Sequence, residues 1–376
     1  MAPADVSRLA GAPDPGAAPA NVSTVVPFHV EVERFAAFLN AELPDHPIYD
    51  GFELQWFDDP RHGTGMLVFL SRRSDRRIDY YHDPGLRLTR TNYVIGAGTN
   101  SWNPTTFEVA RLRVGADGVD AEVVFTDRDG RRIELLVDDR AAGPRRPGVL
   151  LAPIGAAIEQ PRSLLLVLVH GFDLVRRTDT RSRVRIDGAD VTTGRLPLAA
   201  LHRRELVKYG GPVTVATLCP DDGTDRAPRL AAPGTRRTPD GRAIVGLRDD
   251  GDGARAELRF TPPLPVPDAL PEDRTVVGHL EVRVDDLRVT GGRWRLRRRG
   301  EEVAVHLDVT DRWPLPVGQP PLVAAVTRLV PVFRRWPTTY RWRARLSLGA
   351  TPRLRGRWER TGGGGGGTYR ALTRRR

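Results

Sequence analysis

Three stretches near the end of the chain place arginine at every second position: Arg293-Trp294-Arg295-Leu296-Arg297, Arg341-Trp342-Arg343-Ala344-Arg345-Leu346 and Arg353-Leu354-Arg355-Gly356-Arg357-Trp358. A period of two separates charged from apolar side chains only when the backbone is extended, because successive Cβ atoms of a strand point to opposite faces. Wound into a helix, the same residues would spread guanidinium groups all round and leave no face to bury. These stretches are therefore expected to be strands, with Trp, Leu and Ala turned to a core. If they neighbour one another, nine guanidinium groups share one sheet surface.

Strand signals dominate elsewhere too. Residues 51–57, 65–71, 77–82, 86–95, 106–114 and 119–126 are short runs rich in β-branched and aromatic residues, broken by Gly, Pro or Asp. Asp129-Gly130 reads as a hairpin turn joining 122–126 to 132–137, and Asp187-Gly188 as another inside 182–193, since Asp-Gly supplies the positive φ of tight turns. Further hairpin strands are expected over 244–260, 276–284, 293–297 and 303–309, then 339–348 and 354–358. Helices are expected in two or three places. Val32, Phe35, Leu39 and Leu43, with Phe38 alongside, fall on one face of a helix beginning near Val30 and stopped at Pro44. The apolar stretch 150–172 is read as helical in part, and Leu322, Val326, Leu329, Val330 and Phe333 as one helical face interrupted by Pro331.

About fourteen strands with so few helices point to an all-β, mainly antiparallel protein of two barrel- or sandwich-like lobes. The expected organisation is a flexible tail over 1–24, an N-terminal β-rich lobe with one or two helices over 25–226, and a linker or long loop over 227–241. A C-terminal Arg-rich β lobe follows over 242–360, then a flexible Gly-rich basic tail over 361–376. Arg128-Asp-Gly130 leading into Ile133, Leu135 and Val137 is echoed by Arg298-Arg-Gly300 leading into Val303, Val305 and Leu307, at one constant offset close to half the chain. A duplicated barrel or sandwich would give that spacing.

Composition removes several chemistries. One cysteine, Cys219, rules out an intramolecular disulfide framework and a Cys-based zinc cage. No apolar run reaches the eighteen or so residues of a membrane-spanning helix, and the first twenty residues lack the pattern of a signal peptide, so the expected compartment is the cytoplasm. The eight histidines show no His-Glu-x-x-His spacing, and no metal ligand or cofactor is expected. Leu164-Leu-Leu-Val-Leu-Val-His170-Gly171-Phe172 resembles the strand and His-Gly step that helps form the oxyanion hole of α/β-hydrolases. The Gly-x-Ser-x-Gly elbow that should accompany it is absent, and a serine hydrolase is rejected. The single lysine, Lys208, does not stand in a phosphate-binding loop.

Charge is unevenly placed. Residues 287–376 carry 21 Arg, no Lys and 5 acidic residues, whereas the preceding 286 residues hold 37 basic and 42 acidic groups. Such asymmetry is the footprint of an anionic partner, or of arginine filling solvated positions in a chain that uses almost no lysine. Two further features carry chemistry. Asp79-Tyr80-Tyr81-His82-Asp83 is followed by a segment holding three of the chain's five asparagines, Asn92, Asn100 and Asn103, together with Tyr93 and Trp102. On a strand Tyr80 and His82 share one face, where a Tyr–His pair can donate and accept protons. Lys208, kept where every other basic side chain is arginine, is a group that can lose its proton, as arginine cannot.

The sequence thus supports two expectations. The first is binding, or cofactor-independent acid–base conversion by isomerisation, hydration or cyclisation, of a small and largely apolar molecule in a β-lobe pocket. Its catalytic candidates are Tyr80, His82, Asp83 and Lys208, and its ligand-binding candidates are Asn92, Tyr93, Asn100, Trp102 and Asn103. The second is a non-enzymatic module that binds nucleic acid, an acidic membrane surface or a phosphorylated ligand through Arg293, Arg295, Arg297, Arg341, Arg343 and Arg345.

Overall fold

The computed structural model describes residues 25–90, 98–140, 145–154, 161–196, 203–221, 223–230 and 234–360. The expected tails, Asn92 and Tyr93 lie outside the described residues. The protein is all-β and mainly antiparallel, with two short α-helices among the described residues, Pro321–Leu329 and Pro331–Arg335, and sheets that curl into a half-barrel. Among the described residues no helix is long and apolar enough to cross a membrane.

A ten-stranded sheet forms the centre. It folds over at a corner where Ala36, His170-Gly171 and Gly210-Gly211 meet. The corner has no room for side chains at its glycines. A Cβ on Gly211 would lie 2.3 Å from the Ala36 carbonyl oxygen, and Gly171 holds φ +56. On one side of the corner run Val30–Phe35, Val213–Leu218, Gly148–Ala152 and the first half of Leu164–Arg176. On the other side the second half of that long strand pairs with Arg204–Gly210. Ala37–Glu42, Tyr49–Asp59, Gly63–Arg72, Ile78–His82 and Thr99–Pro104 follow in order.

Each convex side is covered by a further sheet. A five-stranded sheet, built on Val109–Val114, Val119–Thr126, Arg132–Asp138 and Arg181–Ile186, packs against Leu39, Leu54, Val68 and Tyr81. An eight-stranded sheet, a meander from Arg236–Arg237 to Arg353–Arg360, packs against Val30, Val32, Leu166 and Ala216. Trp294 and Trp342 are fully buried there, and a large side chain taken wholly out of water contributes about 1.5–3 kcal/mol. Between the central sheet and the five-stranded sheet a buried polar group is fully answered. Asp139 accepts from Arg176 Nε (2.9 Å), Tyr209 Oη (3.0 Å) and Thr180 Oγ1 (2.8 Å).

One helical expectation fails, and a second is answered by strand wherever its residues are described. The segment from Val30 forms two strands, Val30–Phe35 and Ala37–Glu42, with alternating burial. Phe35, Leu39 and Leu43 are spaced by four, which satisfies a helix, but the chain turns at Ala36, so Phe35 packs into one core and Leu39 and Leu43 into another. Of residues 150–172, 150–152 end the strand Gly148–Ala152 and 164–172 belong to the strand Leu164–Arg176, while 155–160 lie outside the described residues. Leu164–Val169 faces cores on both sides, which hides the alternation that marks a one-sided strand. Residues 86–90 form a loop rather than the start of a strand. The helical face at 322–333 is present and splits at Pro331 as expected. Asp187 (φ 53) and Gly188 (φ 76) make the two-residue turn read from the sequence. Asp129-Gly130 sits in a longer loop, where Asp127 Oδ1 accepts from the backbone of Asp129 and Arg131.

Candidate functional site: a concave trough in the central sheet

The inner side of the corner is a trough that its own apolar side chains fill. Its walls are Phe35, Val167, Val169 and Val213 from one half of the sheet, and Leu67, Phe69, Tyr80 and Leu174 from the other. Val323 of the first helix, with Leu322 and Phe333 half-buried, packs across it. Antiparallel and parallel registers together lay one continuous row along the trough: Leu174, Lys208, Asn40, Glu53, Phe69, Tyr80 and Trp102, each directly opposite the next. The adjacent row contains Phe38, Gln55, Leu67 and His82.

The middle of this surface is polar. Lys208 Nζ donates to Asn40 Oδ1 and Glu42 Oε1, both at 3.3 Å. Asn40 Nδ2 donates to Glu53 Oε2 at 3.3 Å, and Gln55 Nε2 donates to Glu53 Oε1 at 2.6 Å. Lys208 and Glu53 are therefore joined through one amide. Burial pushes the Glu53 carboxyl above its ordinary range, and the donors Gln55 and Asn40 and the Lys208 charge only partly oppose it. A carboxyl raised in this way holds a proton more readily and can give it up to a bound molecule. Lys208 retains 19% of its side-chain exposure, so its ammonium lies at the edge of the trough.

The aromatic end supplies shape. Tyr80 is fully buried, with its ring 4.8 Å from Phe69 and 5.0 Å from Trp102, and the His82 ring also lies 5.2 Å from Trp102. His82 Nδ1 lies 3.0 Å from the Asp83 carbonyl, which fixes that nitrogen as a donor. Asp83 makes a turn, accepting from the Gly85 amide at 2.8 Å. Asn100 donates to Asp79 Oδ1 at 2.6 Å, and Asn103 donates to the Tyr80 carbonyl and Ser101 Oγ, both at 2.8 Å. These two amides secure the Thr99–Pro104 edge strand instead of facing the trough's polar middle. The structure thus brings Tyr80, His82, Trp102 and Lys208 to one face, whereas Asp83 and Asn103 hold backbone groups and Asn100 holds the Asp79 carboxylate.

Asn40, Glu42, Glu53 and Gln55 are the site residues that sequence reasoning missed. Asn40 carried a signal: asparagine is scarce in this chain, and here it interrupts Phe38-Leu39-Asn40-Ala41. Elsewhere, Cys219 is fully buried and its thiol is pushed up to about 12 by burial, so it is no nucleophile. His170 of the hydrolase-like step reaches across to Asp285. That carboxylate accepts from His170 Nε2 (2.8 Å), Thr214 Oγ1 (2.6 Å) and Arg34 Nη2 (2.6 Å). Burial works against its charge, but these donors prevail and hold Asp285 well below the usual carboxylate range. Asp59, His62 and Asp252 bring ligating atoms within 4.8 Å of one another, with the Arg61 guanidinium 4.0 Å from Asp252 already answering part of the charge.

Comparison with protein-family models, with curated proteins and with solved structures found no match. The functional reading therefore rests on the geometry of the chain itself.

Proposed function

We propose that the trough binds a small, largely apolar molecule carrying one polar or acidic group, and that Lys208 and Glu53 perform cofactor-independent acid–base chemistry on that group. The observation that carries the reading is the single row from Lys208 through Asn40 and Glu53 to Phe69, Tyr80 and Trp102. It sets a linked acid and base beside an aromatic wall. Pockets for small molecules are mostly apolar, with a few convergent polar groups that fix orientation. Lys208 orients an anionic or carbonyl group, Glu53 exchanges the proton, and Asn40 and Gln55 hold Glu53 in place.

The test uses anilinonaphthalene sulfonate, which joins an apolar ring system to one anion. Its fluorescence should rise on binding, and both Trp102→Ala and Lys208→Met should weaken that binding by about tenfold, the equivalent of 1.4 kcal/mol each. Binding that ignores both substitutions would place the probe elsewhere and defeat the proposal.

A further inference from the structure

The outward side of the eight-stranded sheet belongs to none of this chemistry. Leu287–Arg299, Glu302–Asp311, Tyr340–Ser347 and Arg353–Arg360 are neighbours, and on each arginine strand the burial alternates as the sequence demands. Trp294, Leu296, Trp342, Leu346 and Trp358 face the core, and the intervening arginines face out. Registers align the charges into rows. Arg295, His306, Arg343 and Arg357 stand side by side, as do Arg297, Ala304, Arg345 and Arg355. Small Ala304 leaves a dip between two guanidinium groups.

Carboxylates answer only part of this charge. Asp308 is shared by Arg295 and Arg341, Glu359 by Arg357 and Arg343, and Asp273 by Arg297 and Arg299. Among the described residues, Arg293, Arg345, Arg353 and Arg355 have no carboxylate within 4.0 Å. Like charges directly opposite each other on neighbouring strands destabilise a sheet, yet Arg345 faces Arg355 and Arg343 faces Arg357. The surplus is felt locally: burial first, then Arg295 and Arg343, lower the His306 pKa below its ordinary value. Beside Arg293 and Arg295 the surface opens into a groove of about 520 Å3 that also touches Val277, His279 and Asp308.

We infer that this face binds the phosphate backbone of nucleic acid without reading its bases. Guanidinium groups repeat every second residue, about 6.7 Å apart along each strand, over three strands, which suits a partner whose charges also repeat. The tryptophans are turned inward, so no aromatic platform is offered for stacking and no sequence preference is expected. Among the described residues no large apolar side chain of these four strands is exposed, and on the neighbouring strand Thr275–Val284 only Val277 is, at 56%, so the face lacks the apolar anchors of an interfacial membrane binder.

The experiment measures anisotropy of a labelled mixed-sequence DNA strand with the full chain. With about four phosphate contacts, affinity should fall about 50-fold between about 50 and 200 mM salt. Arg345→Gln with Arg355→Gln should reduce the slope of log affinity against log salt by about 1.4. Arg345→Lys with Arg355→Lys should keep that slope, because the charge stays. Arg181→Gln with Arg183→Gln, which removes the same charge from the exposed edge of the five-stranded sheet, should leave the slope unchanged. Thermal melts of each variant confirm the fold. No binding at about 50 mM salt, or an equal loss in the Arg181/Arg183 control, overturns the inference. Phosphatidylserine vesicles that bind more tightly than DNA, through the same arginines, also overturn it in favour of a lipid surface.

Discussion

In the trough, Lys208 sits between Asn40 and Glu42, and Glu53 between Asn40 and Gln55, so each charge has a named neighbour. On the outward face of the eight-stranded sheet, Arg345 sits opposite Arg355 with no described carboxylate within reach. Both surfaces come from alternating strands in register. What separates them is water. A charge withdrawn from solvent costs several kcal/mol unless the protein answers it, whereas an exposed guanidinium is answered by water or by whatever anion arrives. The first arrangement fixes side chains in place, as the proposed acid–base chemistry requires, and the second leaves valence open, as the proposed nucleic-acid contact requires.

The contrast can be broken from the buried side first. Asp139→Asn preserves shape but leaves Arg176 buried beside a neutral amide. Removing one partner of a buried ion pair costs about 3–5 kcal/mol, which urea unfolding would show as a lower midpoint at unchanged slope. A loss below about 1 kcal/mol would mean that interior and surface charges are not treated differently.

Glu53→Gln sharpens the comparison within the trough. Because folding raises this carboxyl's pKa, the native state holds its proton more tightly than the unfolded chain does. Ionisation therefore weakens the fold as pH rises above the ordinary glutamate value of about 4.3. The variant is expected to melt about 1–3 °C above the wild type at pH 7, with the gap closing as the pH falls toward 4. A gap that widens on acidification reverses the sign and contradicts the burial of Glu53.

The smallest effect is expected on the arginine face. Arg345→Gln with Arg355→Gln relieves a like-charge pair at exposed positions, so stability should change by no more than about 0.5 kcal/mol, upward and at low salt. A clear loss of stability would show that these arginines hold the sheet together, and the open-valence reading of that face would fail.

How much of this was legible in the sequence follows from the same physics. The arginine strands were readable because charge and tryptophan alternate so strictly that one residue of slip would bury guanidinium groups. The turn at Asp187-Gly188 was readable because its backbone needs φ values that few residues adopt. Phe35, Leu39 and Leu43 misled because a corner between two strands switches the buried face, which leaves a helix-like spacing of four. The trough was half visible. Tyr80, His82 and Trp102 lie close in sequence and Lys208 stood out by its rarity, but what makes them one surface is strand register. Lys208 meets Asn40 across 168 residues, and nothing local announces that pairing.

Asp285 sits in a two-residue turn of the eight-stranded sheet with φ 46, and its carboxylate is spent on Arg34, Thr214 and His170 of the central sheet. Its other oxygen accepts from the Arg255 amide at 3.0 Å. The same turn that closes one hairpin thus ties it to a sheet built from the opposite end of the chain, above a core shared by both. Opening either sheet releases that carboxylate and uncovers the other's apolar side, so the two are one cooperative unit. Amide hydrogens beneath Asp285, on Val213–Leu218 and on Ala254–Pro265 alike, then exchange at a common slow rate, and a protease nick between residues 227 and 241 yields two fragments that stay associated.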